Sequence, residues 1–184
     1  MLPGHPMKPL SIALLAGALG AGVGVLSAAL LLRARPAPAA PRAELSVATI
    51  PAGYRDWQLV SVAREEGMND DIRAILGNDL AIATYREGRT SFPDGAVLTR
   101  IAWSFDPSEE NNRAFGQRQS FVAGHPKNGV QFMIRDAKRY AATGGWGYAQ
   151  FNDGQPVGEA ALKPCAPCHE AARDRGFVFT RYSP

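Results

Sequence analysis

The chain is poor in the residues that staple small folds or hold bare metal ions: it has two cysteines and three histidines in 184 residues. Two cysteines exclude a disulfide framework and a four-cysteine zinc centre, and His5 and His125 offer no paired metal-ligand spacing. Charge of one sign never accumulates. Twenty Lys and Arg face 17 Asp and Glu, for a net +3. Arg55, Arg64, Arg73, Arg86, Arg100 and Arg113 are scattered among acidic neighbours. That pattern excludes a basic nucleic-acid stripe, and no nucleic-acid partner is expected. There is no internal repeat. What is present is ordinary for a globular domain, with 46% hydrophobic and 20% charged residues. A domain of the size left beyond residue 46 buries on the order of two thirds of its surface and stands without staples.

One long apolar run does occur. Residues 10–32 carry no charge, with Lys8 before them and Arg33, Arg35 and Arg42 after. The run exceeds the roughly 20 residues that span a bilayer core as a helix. Gly17, Gly20, Gly22 and Gly24 among alanines make a small-residue face. A retained anchor and a cleaved export signal compete. Ala37-Pro38-Ala39 could serve as a cleavage site, but Arg33 and Arg35 would lie between it and the apolar run, which is long for a signal core. The anchor is favoured. Residues 1–33 are thus read as a transmembrane anchor or signal segment, 34–46 as an Ala/Pro-rich linker, and 47–184 as the folded domain.

Within the domain, period-two patterning predicts strands over residues 57–62, 72–76, 96–105, 130–135, 146–151 and 177–182. Asn78 and Asp79 offer a cap for a helix over 80–87 closed by Gly88, and Phe92-Pro93-Asp94-Gly95 is a turn. Strand 96–105 puts Val97, Thr99, Ile101, Trp103 and Phe105 on one face and Leu98, Arg100 and Ala102 on the other. In 130–135, Gln131, Met133 and Arg135 oppose Val130, Phe132 and Ile134. Residues 106–126, polar and rich in turn formers, read as a long loop. Asp136 is expected to cap a helix to Ala142, and the cysteine segment to open one reaching Arg175. The fold class is α+β, a mainly antiparallel sheet with short helices.

The chemistry lies near the C-terminus, in Cys165-Ala166-Pro167-Cys168-His169. This is the C-x-x-C-H pattern of covalent c-type haem attachment. Two thiols three residues apart match two vinyl groups on one porphyrin edge, and the imidazole of His169 follows at once to ligate the iron. A thioredoxin-like pair would need a βαβ setting, and a disulfide between residues this close is strained. One covalent haem c is therefore expected, bound by Cys165 and Cys168 with His169 as metal ligand. No Met or His follows His169. Met68 and Met133 lie upstream, Met133 in a strand where packing is the commoner role. The sixth iron position is expected to be open, which suits ligand binding or chemistry better than electron transfer. Since c-type haem is attached outside the bacterial inner membrane, the domain is expected on the periplasmic side, anchored, or soluble in the periplasm if the signal is cut.

Several segments share a further likeness. They are Tyr54-Arg55-Asp56-Trp57, Phe92-Pro93-Asp94-Gly95-Ala96-Val97, the stretch from Val130 through Arg135-Asp136-Ala137 to Tyr140, Gly145-Trp146-Gly147, the cysteine motif, and Phe177-Val178-Phe179-Thr180-Arg181-Tyr182. Together and in this order they resemble the cytochrome P460 family, whose relatives include the β-sheet cytochromes c′. The resemblance covers residues 54–184. It implies a curved antiparallel sheet holding a five-coordinate haem, usually in a homodimer. Family members either oxidise hydroxylamine or bind nitric oxide and carbon monoxide. The implied function is binding of small nitrogen oxides or diatomic ligands. The rival is hydroxylamine oxidation with a soluble cytochrome as electron acceptor, and a simple electron shuttle is a weaker third. The oxidising members carry a lysine, joined to the porphyrin, in the strand after the Asp-Gly turn. Five residues beyond Gly95 this chain has Arg100, whose guanidinium stays protonated and is a poor nucleophile. Arg100 is expected instead to face the haem as a hydrogen-bond donor to a ligand or propionate. The other aromatic residues Phe92, Trp103, Phe132 and Trp146 read as core, and Glu159 and Glu170 as exposed carboxylates.

Overall fold

The computed structural model describes residues 47–183. Six strands follow one another as an antiparallel meander: β1 Gln58–Glu65, β2 Asp71–Gly77, β3 Val97–Pro107, β4 Phe121–Arg135, β5 Trp146–Asn152 and β6 Gln155–Pro156. Helices are short: α1 Asp79–Arg86, α2 Glu109–Phe115, α3 Glu159–Leu162 and α4 Cys165–His169. The α+β class and antiparallel sheet are as the alternation requires. The expected membrane segment and the linker lie outside the described residues. No helix among the described residues is long and apolar enough to cross a membrane.

Alternation gives the sheet two unlike faces. One carries Val97, Phe132, Ile134, Ala149 and Phe151, all buried, and is covered by Val47, Ile50, Tyr54 and Trp57. The other carries Val60, Ile75, Leu98 and Trp146, packed against Ala81 and Ile82 of α1 and Val178 of the C-terminal segment. Asn78 fixes α1 to the sheet. Its Oδ1 accepts from Ala81 N at 3.1 Å, capping the helix, and from Val97 N at 3.0 Å, while its Nδ2 donates to Gly95 O at 2.8 Å.

Four expectations are corrected. Residues 106–126 are not a loop. Ser108 Oγ accepts from Asn111 N at 3.4 Å to cap α2, and β4 begins at Phe121, paired with Pro107. Beyond Trp103 this arm has only β4 as a partner. With little burial it needs no apolar alternation, so its strands are invisible to periodicity. Residues 136–142 form a turn, with Asp136 Oδ1 accepting from Arg139 N at 2.8 Å, and then a 3₁₀ helix at Ala141–Thr143. The helix from Cys165 does not run on to Arg175: a 3₁₀ helix, Glu170–Arg175, takes over and kinks at Ala172. Finally, residues 177–182 join no sheet. The sixth strand is β6, and the C-terminal segment touches the edge of the sheet through Ser183 N donating to Val60 O at 2.9 Å.

Candidate haem site

Helix α4 is one turn, and the turn arranges the chemistry. Residues three and four apart share a helix face, so Cys165, Cys168 and His169 project together. Pro167 sits in the first turn, where a missing N–H costs nothing. Cys165 is half-buried and Cys168 exposed. Burial, with the charge of Cys168 adding to it, pushes the Cys165 thiol up from its usual value.

The chain then folds back over His169. Gly176 and Phe177 both take left-handed backbone, φ 67° in each case. Gly176 must be glycine, because a Cβ there would collide with the carbonyl of Thr90. Its own carbonyl accepts from Trp146 Nε1 at 2.9 Å. This bend brings Phe177 O to 2.7 Å from His169 Nδ1. A carbonyl can only accept, so Nδ1 carries the proton and Nε2 keeps its lone pair. Burial holds the imidazolium pKa below the usual 6.5, against the pull of the Phe177 carbonyl. The ring is therefore neutral near pH 7, the form that ligates iron. Tyr148 and Phe179 flank it, with ring centroids at 5.1 and 5.2 Å.

His169 and Cys165 line a cavity that opens to solvent between the C-terminal segment and the sheet. Its sheet wall follows from register. Ile75, Arg100 and Gln131 are cross-strand partners, as are Leu98, Met133 and Tyr148, and directly opposed residues share a face. Arg100 thus faces the cavity, on the side its parity indicated. Its Nη1 donates to Gln131 Oε1 at 3.0 Å and its Nη2 pairs with Asp71. Burial, then the charge of Arg73, lowers its pKa from the usual arginine value.

The other residues fall as follows. Met133 is on the cavity wall and packs against the core. Phe92, Phe132 and Trp146 are core, at 5%, 2% and 1% exposure. Trp103 is half-buried. Glu159 and Glu170 are exposed, and Glu170 pairs with Arg173. Asp71, Arg73, Tyr148 and Gln150 belong to the cavity or its buttress, and no sequence motif marks them.

The residues fit an iron porphyrin. Among the described residues no group of three His, Cys, Asp or Glu could hold a bare ion, whereas a porphyrin iron asks the protein for one neutral imidazole. The cavity has mostly apolar walls, and two of its polar atoms, Arg73 Nη2 and Tyr148 Oη, are buried without a partner in the protein. Comparison with curated proteins gave no match. The family model described as Cytochrome P460 matches residues 51–180, from just before β1 to the segment that folds over His169. The chain belongs to the cytochrome P460 family and is a haem protein.

Proposed function

We propose that the protein holds one haem covalently through Cys165 and Cys168, with His169 Nε2 as the protein's only iron ligand, and that it binds small nitrogen oxides. The observation that carries this reading is the hydrogen bond from His169 Nδ1 to Phe177 O, which leaves Nε2 to the cavity. When bound, the haem supplies an iron with an open coordination position for a small molecule. The protein's part is to orient the imidazole, keep it neutral and wall the cavity with apolar side chains. Met133 is a packing residue in this reading and stays off the iron.

Arg100 supports binding over hydroxylamine oxidation. A covalent bond to the porphyrin needs a nucleophilic lone pair, and a guanidinium paired with Asp71 and bonded to Gln131 offers none. We further propose a periplasmic domain, anchored by residues 10–32 and working as a homodimer. A soluble cytochrome partner belongs to the rival, oxidising reading.

The test begins with Cys165→Ala/Cys168→Ala. The double variant should lose haem-linked peroxidase staining on a denaturing gel, and staining that survives overturns the covalent link. The intact native mass should equal polypeptide plus one haem, with no further hydrogen loss. The absorption spectrum should report five-coordinate iron and be unchanged by Met133→Leu. Rapid hydroxylamine turnover with an electron acceptor, or a porphyrin-linked Arg100 or lysine peptide, would promote the rival.

A further inference from the structure

One wall of the cavity holds two largely buried guanidiniums with a single buried carboxylate between them. Arg73 of β2 and Arg100 of β3 both line the cavity and are 14% and 15% exposed. Between them lies Asp71, at 0% exposure, the first residue of β2. Its Oδ1 accepts from Arg73 Nε at 2.7 Å, and its Oδ2 pairs with Arg100 Nη2. One buried carboxylate therefore serves two guanidiniums. Glu65 pairs with Arg73 Nη1, but its side chain is 46% exposed, so water screens much of that charge.

One of the remaining donors is left over. Arg73 Nη2 is buried and has no acceptor in the protein. Arg100 is pinned from its other side by a directional row: Arg100 Nη1 to Gln131 Oε1 at 3.0 Å, Gln131 Nε2 to Gln150 Oε1 at 2.8 Å, and Gln150 Nε2 to Asn152 Oδ1 at 3.2 Å. Both guanidiniums are thereby held rigid, which removes most of the entropy a long side chain loses on gripping a ligand. A buried cationic N–H without an acceptor is costly, and such groups normally find a partner. The partner that suits a fixed guanidinium is a planar or bent oxyanion.

We propose that Arg73 and Arg100, braced by Asp71, form an oxyanion subsite inside the haem cavity, taking either a carboxylate of the haem itself or a free small oxyanion such as nitrite. The proposal rests on haem occupying the cavity, as argued above.

The experiment uses the haem-loaded full chain with Arg73→Gln, Arg100→Gln and Arg73→Lys, the last keeping the charge beside Asp71 should the neutral variants fail to fold. Three quantities are measured optically: nitrite affinity of the ferric protein, carbon monoxide affinity of the ferrous protein, and the midpoint potential across the carboxylate titration range. If the oxyanion is free, each Gln variant loses about tenfold or more in nitrite affinity, the scale of one charge-assisted hydrogen bond, Arg73→Lys loses less because it keeps the charge without the fixed fork, and carbon monoxide affinity is unchanged. If it is a haem carboxylate, nitrite affinity holds while the pH at which the potential bends rises, because the carboxylate has lost its cationic partner. Variants that load haem and alter neither quantity overturn the subsite. Failure of carbon monoxide to bind the native protein would sink the open-iron reading alone, since the potential still tests the subsite.

Discussion

The two faces of the sheet are made by the same strands and obey opposite rules. On the closed face, Val97, Phe132, Ile134, Ala149 and Phe151 form an apolar cluster with Tyr54, Trp57 and Tyr140 packed against it, and the buried hydroxyls of Thr99 and Tyr140 have no partner in the protein. Tyr54 and Phe151 both set their rings edge-on to Phe132, with centroids at 5.4 and 5.9 Å. On the open face, one residue away along each strand, Arg100, Gln131 and Gln150 stand in a row across three strands, beside the buried charges of Asp71 and Arg73. Apolar burial stabilises the first face without outside help. The second has an apolar cluster of its own, Val60, Ile75, Leu98 and Trp146 against α1, and adds the charged row beside it. Strand parity thus sets the charged residues of the cavity wall apart from the wholly buried face of the same meander.

The closed face should therefore be the more sensitive to truncation, whatever fills the cavity. Phe151→Ala removes a ring that is 2% exposed and should cost about 3–5 kcal/mol, with the same loss in haem-loaded and haem-free protein by urea unfolding. A loss confined to the haem-free form would show that the two faces are not independent.

A smaller effect is expected from the open face. Asp71→Asn leaves two largely buried guanidiniums sharing a neutral amide and should cost about 3 kcal/mol in the same assay. If it costs nothing, the row is a solvated surface and the contrast fails.

How far this contrast could be read in advance differs from residue to residue. The C-x-x-C-H motif is local, so one helical turn suffices to bring its three side chains together. Parity puts Arg100 on one face with Leu98, and the cavity lies on that face. Asp71 is hidden from the pattern: the apolar run starts at Ile72, and an aspartate at a strand's first position looks like a turn residue. Its partner Arg100 is 29 residues away, joined only by the β2–β3 pairing. The segment 177–182 misled by its composition, aromatic and β-branched. Its residues serve separate ends instead: Val178 is core, Phe179 flanks His169, and Thr180 O accepts from Tyr85 Oη.

Asn78 sits where the open face meets α1, and its change should be smaller again. Asn78→Ala removes a helix cap together with the bonds to Val97 N and Gly95 O, for a loss of about 1–2 kcal/mol. Asn78→Asp keeps the accepting oxygen and should recover most of the cap. Equal losses in the two variants would mean that the donated bond to Gly95 O, not the cap, is what matters.

The smallest effect is silent at neutral pH. Tyr85 belongs to the cluster on the open face that packs beneath the C-terminal segment. Its ring lies edge-on to Phe92 at 5.2 Å and stacks on Tyr182 at 5.9 Å, and its hydroxyl donates to Thr180 O at 3.3 Å. Burial raises its pKa above the ordinary 10.0. The folded protein therefore keeps a phenol proton that the unfolded chain releases above pH 10. The stabilisation from this difference is fully present below about pH 10 and is lost as pH climbs from there toward the folded-state value, at up to about 1.4 kcal/mol per unit. Tyr85→Phe removes the titrating group, so urea midpoints taken from pH 9 upward should fall less steeply in the variant than in the parent. Tyr148, raised first by its own burial, titrates in both proteins and leaves a common residual slope. Parallel curves would mean that Tyr85 reaches alkaline solvent without unfolding, and that the C-terminal segment lifts from the open face while the closed face holds.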